Sequence, residues 1–446
     1  MPPRERAPQI KREGPRGLSA RERAAKKEQI DGGGGRTFEG VQEVNEQFTS
    51  LEKGKDYLLI ETNPEVKTEK KLEDYFIFIN PSNGTETRKV TPPHWRTVTT
   101  PGFKGEVELE SGKKDVFFEA NTKGVGYLKP SSMGDSLDEV YDTWIKKEEG
   151  EGEHLYNEKI LGLADVESFK EVKDDDDLMQ KTMHLARAGL RVEVYWGVAA
   201  LIKAVYRGEL VPIDDLREKG VIPKRRRFEP AMAVRLFKTN SRIEEAYRDS
   251  ERRVPLFKRA FQTFNEEEKA KNPEHPELLH IGNVEDEEKF FKTFAGRLGK
   301  NLAVLMNEGF YSLALHSSNI TLAAEIADAE SFKHHSKETE PTLREKYSGV
   351  RYGHIKDARD LAYDLRFLTK AGRDAGLHTS KRVELCAAFM ESFLASLDKE
   401  SLKTQGTDPE KAIEWVSKIF TAVITERQRL PSLRHYAMEE WPISVE

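Results

Sequence analysis

The strongest constraint on the fold is a change of hydrophobic period along the chain. Up to about residue 245, apolar residues come in short alternating or β-branched runs. Beyond that point they recur at three- and four-residue steps, the spacing that places side chains on one face of a helix. Tyr57 to Glu61, Tyr75 to Ile79, Glu106 to Glu110 and Val116 to Ala120 read as strands separated by Gly- or Pro-bearing breaks. Gly105 to Gly126 reads as a hairpin turning at Ser111-Gly112-Lys113. A helix is expected over 178–188, ending at Gly189, with strand-like sequence returning from Val192 to Val205. Phe290, Phe291, Phe294, Leu298, Leu302 and Leu305 form one helical face that stops at Gly309, and similar stripes run through 357–371, 381–398 and 408–428. The implied class is α+β, a β-rich first part followed by a mainly helical second part.

Residues 1–36 stand apart: Arg, Lys and Glu mixed with Pro, closed by the run Gly32 to Gly35. Such a stretch cannot offset its ordering entropy with apolar burial and is expected to be a disordered tail. The expected divisions are therefore that tail, an N-terminal lobe over 37–245 and a helical C-terminal lobe over 246–446. Across all 446 residues, 72 Lys and Arg against 78 Asp and Glu leave a net charge of −6. That near-balance offers no basic surface in bulk, so nucleic acid is not an expected partner. No run approaches the roughly 18 apolar residues of a membrane span. Cys386 is the sole cysteine, which excludes an intrachain disulfide and a multi-cysteine zinc site. These features fit a cytoplasmic protein; the tail's arginines leave organelle targeting open, although Glu5, Glu13, Glu22 and Glu28 oppose it.

Four clusters carry residues suited to chemistry. The first is Asn121-Thr122-Lys123-Gly124-Val125-Gly126-Tyr127 at a strand end, followed by Met133-Gly134-Asp135. Its glycines would let backbone approach a phosphate beside the lysine charge, but a hairpin end with a surface lysine has the same pattern. The second is the strand-like run Ala231 to Phe237, then Lys238-Thr239-Asn240-Ser241-Arg242. Ser241 with Glu244 fits a capping box, which puts Arg242 at a helix start where anions are preferred. Either an anion binds there or Arg242 is exposed and paired with a neighbour such as Glu245. The third runs from His316-Ser317-Ser318-Asn319 to Asp328. Amide and carboxylate oxygens suit Mg²⁺, yet nine residues of straight strand would span about 30 Å. Co-ligation requires 320–327 to double back, and no Gly, Asn or Pro marks the turn. The fourth is His334-His335 with His354, read as surface or packing residues. The acidic run Asp174 to Asp177 reads as a solvated helix start rather than a metal site. Metalloprotease, α/β-hydrolase and P-loop motifs are absent.

A strand-end lysine, two arginines, then an Asn loop and a following Asp is the order found in protein-kinase-like folds. Within that superfamily the chain resembles the selenoprotein O family, pseudokinases that transfer AMP from ATP to protein hydroxyls. The resemblance rests on Lys123-Gly124-x-Gly126, Met133-Gly134-Asp135, Ala188-Gly189-Leu190-Arg191-Val192, the seven-residue spacing of Arg235 and Arg242, and the nine-residue spacing of Asn319 and Asp328. It spans roughly 115–335. It implies a bilobal kinase-like fold, with Lys123, Gly124, Gly126, Asp135, Arg235 and Arg242 binding nucleotide. It further implies that Lys123 holds phosphates, that the arginines meet the terminal-phosphate end of a flipped nucleotide, and that Asn319 and Asp328 hold Mg²⁺, with Mn²⁺ an alternative. The doubling back of 320–327 is also what the family has.

The departures bear on activity. The family's Asp before the metal-binding Asn is replaced by Ser318, which cannot take up a proton near pH 7; either His316 substitutes, or no base is needed, or activity is lost. The carboxylate partner of Lys123 is placed at Glu158, with Glu167 and Asp177 as rivals. Ala324 stands where glycine is usual, and the family's C-terminal Cys or selenocysteine has no counterpart. The expected function is Mg-ATP-dependent transfer of AMP to Ser, Thr or Tyr hydroxyls of a protein substrate. Phosphate transfer to a protein or small molecule, and an inactive nucleotide-binding module, are the alternatives.

Overall fold

The computed structural model describes residues 44–94, 97–109, 114–126, 164–165, 178–206, 208–219, 229–312, 314–335 and 349–425. The first part is strand-rich: β1 (Val44–Ser50), β2 (Tyr57–Thr62), β3 (Val66–Thr68), β4 (Ile77–Ile79), β5 (Glu86–His94), β6 (Thr97–Thr100), β7 (Gly105–Glu108), β8 (Lys114–Phe117), β9 (Glu119–Lys123) and β10 (Ala164–Asp165). Helix α1 (Leu178–Arg187) follows, then β11 (Val194–Leu201), β12 (Lys203–Tyr206), β13 (Glu209–Pro212), α2 (Ile213–Glu218) and β14 (Pro230–Phe237). Their main sheet has the order β2-β11-β14-β9-β6-β5-β1-β4, with β10 also on β14. The second part is helical: α3 (Ile243–Arg248), α4 (Arg253–Lys271), α5 (Val284–Asn307), α6 (Tyr352–Asp374), α7 (Arg382–Ser396), α8 (Lys399–Thr404) and α9 (Pro409–Thr425). Its small ribbon of β15 (Phe310–Ser312) and β16 (Phe332–His334) brackets the loop between them. The architecture is α+β, β-rich then helical, as the change of period implies.

Helix α5 begins at Asn283, whose side chain accepts from the Glu285 and Asp286 amides, and its Phe and Leu stripe is fully buried. Phe290 stacks on Phe261 of α4 at 4.5 Å between centroids. A Cβ at Gly299 would lie 2.2 Å from the Phe389 carbonyl oxygen, so only glycine permits α5 and α7 to cross this closely. One hydrophobic core includes the sheet residues Val98, Val198 and Leu236 and the helix residues Leu298, Leu365 and Phe389. Among the described residues no helix is long and apolar enough to cross a membrane.

Three local readings need correction. Val116 to Ala120 is not one strand: the chain breaks at Phe118, whose amide donates to the Phe237 carbonyl, so β8 joins a small sheet with β7 and β9 enters the main one. Tyr75 ends a 3-10 turn (Leu72–Tyr75) rather than opening a strand. The helix after β14 is not capped by Ser241: the Ser241 carbonyl is occupied by the Leu322 amide, and Arg242 bridges Thr321, so the chain stays extended through Arg242. Arg242 is thus the N-cap, and its amide donates to the Glu245 carboxylate at 3.2 Å.

Candidate functional site

Directly opposed residues of antiparallel strands share a face of the sheet. Arg235 on β14 lies opposite Asn121 on β9 and Tyr195 on β11. The two-residue repeat adds Lys123, Glu193 and Phe237 to that face. A row of polar side chains is therefore written into strands that otherwise bury apolar residues. Arg235, 1% exposed, donates to Asn121 Oδ1 at 2.7 and 3.2 Å, to Glu193 at 2.8 Å and to Asp328 Oδ1 at 3.1 Å. These partners are what make a buried guanidinium tolerable.

Asp328 reaches the sheet face from a loop that folds back on itself. Ile320 and Ile326 form an antiparallel bridge, the Thr321 amide donates to the Glu325 carbonyl at 2.9 Å, and the Ala327 amide donates to the Asn319 carbonyl at 2.8 Å. The doubling back that the spacing of Asn319 and Asp328 demanded is present. Its tip uses Ala324 in the left-handed region, φ +60°, where the sequence offers no glycine. Tertiary hydrogen bonds hold that conformation: Asn301 donates to the Ala324 carbonyl at 2.8 Å, and Arg191 and Arg297 donate to the Ala323 carbonyl at 3.0 and 3.3 Å. Asp328 is itself left-handed, φ 58° and ψ 50°, and starts the 3-10 turn Ala329–Ser331.

The charges at the site are matched. Lys123, 4% exposed rather than a surface residue, contacts Asp328 Oδ1 at 3.3 Å and Glu330 at closer range. Glu193 accepts from the Ala329 amide at 2.9 Å, and the Tyr195 hydroxyl donates to Glu330 at 3.1 Å. Burial pushes the Asp328 carboxyl up, but Lys123, Arg235 and Arg242 more than offset this and hold it well below the usual range. Burial raises Glu193 despite Arg235. Arg242 is 5% exposed, and burial lowers its pKa. It donates to Asn240 at 2.5 Å and lies 5.2 Å from the Phe237 ring centre, yet its Nε and Nη1 have no acceptor among the described residues. Buried, unsatisfied guanidinium donors fit an anion. Carboxylate oxygens of Glu193, Asp328 and Glu330 lie within 4.8 Å of one another, and the Asp328 side chain is 38% exposed, a donor set suited to a hard cation.

The structure thus brings Lys123, Arg235 and Asp328 into direct contact. Asn319 sits on the adjoining rung of the hairpin, its side-chain amide donating to the Ala314 carbonyl at 2.8 Å. Gly124 and Gly126 have φ values of +94° and +97° in the turn after β9. His316 and Ser318 pair with each other, Oγ to Nδ1 2.6 Å. Asp135, Glu158, Glu167, Asp174 and Asp177 lie outside the described residues. His335 stacks on Tyr311 and meets His354 edge-on, a packing arrangement away from Lys123 and Arg235 in the contacts they make. Sequence reasoning missed Glu193, Tyr195 and Glu330, and quoted Asn121 beside Lys123 without giving it a role. Their signal was polar residues at two-residue spacing, Asn121 with Lys123 and Glu193 with Tyr195, plus an acid two places beyond Asp328.

No family model and no curated protein matches the chain. Among solved structures it is similar to the Toxoplasma gondii specific rhoptry antigen kinase domain, at 10% identity and a TM-score of 0.27, over 90% of this chain and 91% of that one. A likeness this loose carries no argument about function, which has to come from the site itself.

Proposed function

We propose that this face of the sheet binds a nucleoside triphosphate with a divalent cation in a kinase-like manner, and that the group transferred is AMP, to a hydroxyl of a protein. The observation that carries the reading is Arg242, whose Nε and Nη1 are buried without acceptors beside Arg235 and Asp328. Leaving such donors unsatisfied costs roughly 1–3 kcal/mol each, and a phosphate would satisfy them.

The pattern of exposure supports AMP as the group transferred. The arginines are 1% and 5% exposed, whereas the Asp328 side chain is 38% exposed. A triphosphate whose terminal phosphates meet the arginines keeps its α-phosphate toward the open side, where an acceptor can approach. Lys123, Arg235 and Arg242 would orient the polyphosphate and balance the charge that builds on leaving pyrophosphate. Asn319 and Asp328 would hold Mg²⁺ or Mn²⁺, which supplies charge neutralisation at the phosphates. The acceptor oxygen bonds to the α-phosphorus, pyrophosphate departs, and the hydroxyl proton is taken by His316 or by water. His316 is exposed and bonded to Ser318, the residue that stands in sequence where the resembled family has its aspartate, and this supports His316 as the proton acceptor.

Incubation with ATP labelled at the α-phosphate should label protein, and Lys123→Ala or Asp328→Ala should abolish it while His334→Ala should not. Label that arrives from the γ-phosphate alone would replace this reading with phosphate transfer.

A further inference from the structure

Lys123 is buried, and a buried ammonium needs acceptors fixed in place. Among the described residues its ionic partners are Asp328 and Glu330, and Glu330 makes the closer contact. The two oxygens of Glu330 have separate partners: Oε1 faces Lys123, and Oε2 accepts from the Tyr195 hydroxyl at 3.1 Å. Tyr195 is fully buried opposite Arg235, so its phenol is a rigid anchor. The turn that bears Glu330 is tied to the same face by the Ala329 amide, which donates to Glu193 at 2.9 Å. Among the described residues the oxygens of Glu193 are directed elsewhere, one to the Ala329 amide and the other to Arg235 at 2.8 Å.

We propose that Glu330 is the carboxylate that positions Lys123, and that by holding the ammonium it leaves Asp328 available to a divalent cation. The inference rests on the nucleotide reading and deepens it. The lysine's partner comes from the turn that carries the metal-side aspartate, so one three-residue turn sets both the phosphate-binding cation and the cation-binding carboxylate. Lys123 lies between two carboxylates, and its distance to Asp328 Oδ1 is already 3.3 Å. Without the Glu330 charge, the attraction to Asp328 is unopposed, and the ammonium and a divalent cation compete for the same oxygens. With Glu330 in place, a cation arriving at Asp328 repels the ammonium toward an acceptor that Tyr195 already holds.

The test uses the full chain and has one arm that needs neither metal nor nucleotide. Urea unfolding midpoints are measured for the wild type, Lys123→Met, Glu330→Gln and the double variant; both substitutions nearly conserve shape, and circular dichroism checks the fold. The double variant should lose less than the sum of the single losses, whereas additive losses would overturn the pair. In the second arm, Mg²⁺ is titrated at fixed ATP and nucleotide binding is read at equilibrium. Glu330→Gln should raise the Mg²⁺ concentration for half-saturation by about fivefold or more, Glu330→Asp should recover part of it, and Glu330→Gln should have no such effect in the Lys123→Met background. An unchanged Mg²⁺ requirement in Glu330→Gln would overturn the positioning role. A wild type that binds no Mg-ATP would reject the nucleotide reading instead, while the unfolding cycle still decides whether Glu330 holds Lys123.

Discussion

Replacing Glu267 by Gln tests how the loop bearing Asp328 is held. Glu267 on α4 is 3% exposed and accepts from Arg191 at 2.7 Å and from Arg297 at 3.2 and 3.3 Å. The same guanidiniums reach the Ala323 carbonyl at the hairpin tip, so the carboxylate anchors the groups that clamp the tip. Burial alone would raise the Glu267 pKa, but Arg191 and Arg297 pull it down to about 2. Against an unfolded value of about 4.3, that is a shift of roughly two units, or about 3 kcal/mol of stability. Because the folded pKa is depressed, this contribution is complete above the unfolded pKa and is lost as pH falls toward the folded one. Glu267→Gln should therefore cost about 3 kcal/mol at pH 7, in line with the loss of one partner from a buried ion pair. Urea unfolding of both proteins between pH 7 and pH 3 measures it. The gap should shrink to about half by pH 3, because Glu267 of the unfolded chain protonates there while the folded carboxylate stays largely ionised. A gap that stays constant with pH, or one below about 0.5 kcal/mol at pH 7, would refute the reasoning.

Two further substitutions separate function from stability. Arg242→Met removes two unsatisfied buried donors, so it should stabilise the fold by about 1 kcal/mol or more in urea while lowering ATP affinity at least about tenfold. Ala324→Val places a β-branched side chain at φ +60° in a fully buried turn, and should cost about 2 kcal/mol or more and raise the Mg²⁺ requirement for nucleotide binding.

The helices of the second part were legible because burial of Phe290, Leu298 and Leu305 on one face leaves a 3.6-residue trace in the sequence. The break at Phe118 was not, because Val116 to Ala120 is a continuous β-prone run and only the competing partners β7 and β14 divide it. The helix start after β14 moved for a similar reason: Arg242 is kept extended by Thr321, far away in sequence. At the site, the order of Lys123, Arg235 and Asp328 pointed to one another, and the structure places them in contact. Glu193 and Tyr195 went unread because a lone acid in Val192-Glu193-Val194-Tyr195 resembles an imperfect apolar strand until its register against Arg235 is known. The turn at Ala324 carried no local signal, since its left-handed backbone is imposed by Asn301, Arg191 and Arg297 from other elements.

The central claim is that buried cations and the Asp328 loop form one site for a metal-bound nucleotide. Calorimetric titration of ATP into the full-length protein, with Mg²⁺ and with chelator, tests it most directly when paired with Asp328→Ala. The account predicts saturable binding that needs Mg²⁺ in the wild type and loses that metal dependence in Asp328→Ala. Binding that is absent with Mg²⁺, or equally strong and equally metal-dependent in Asp328→Ala, would contradict it.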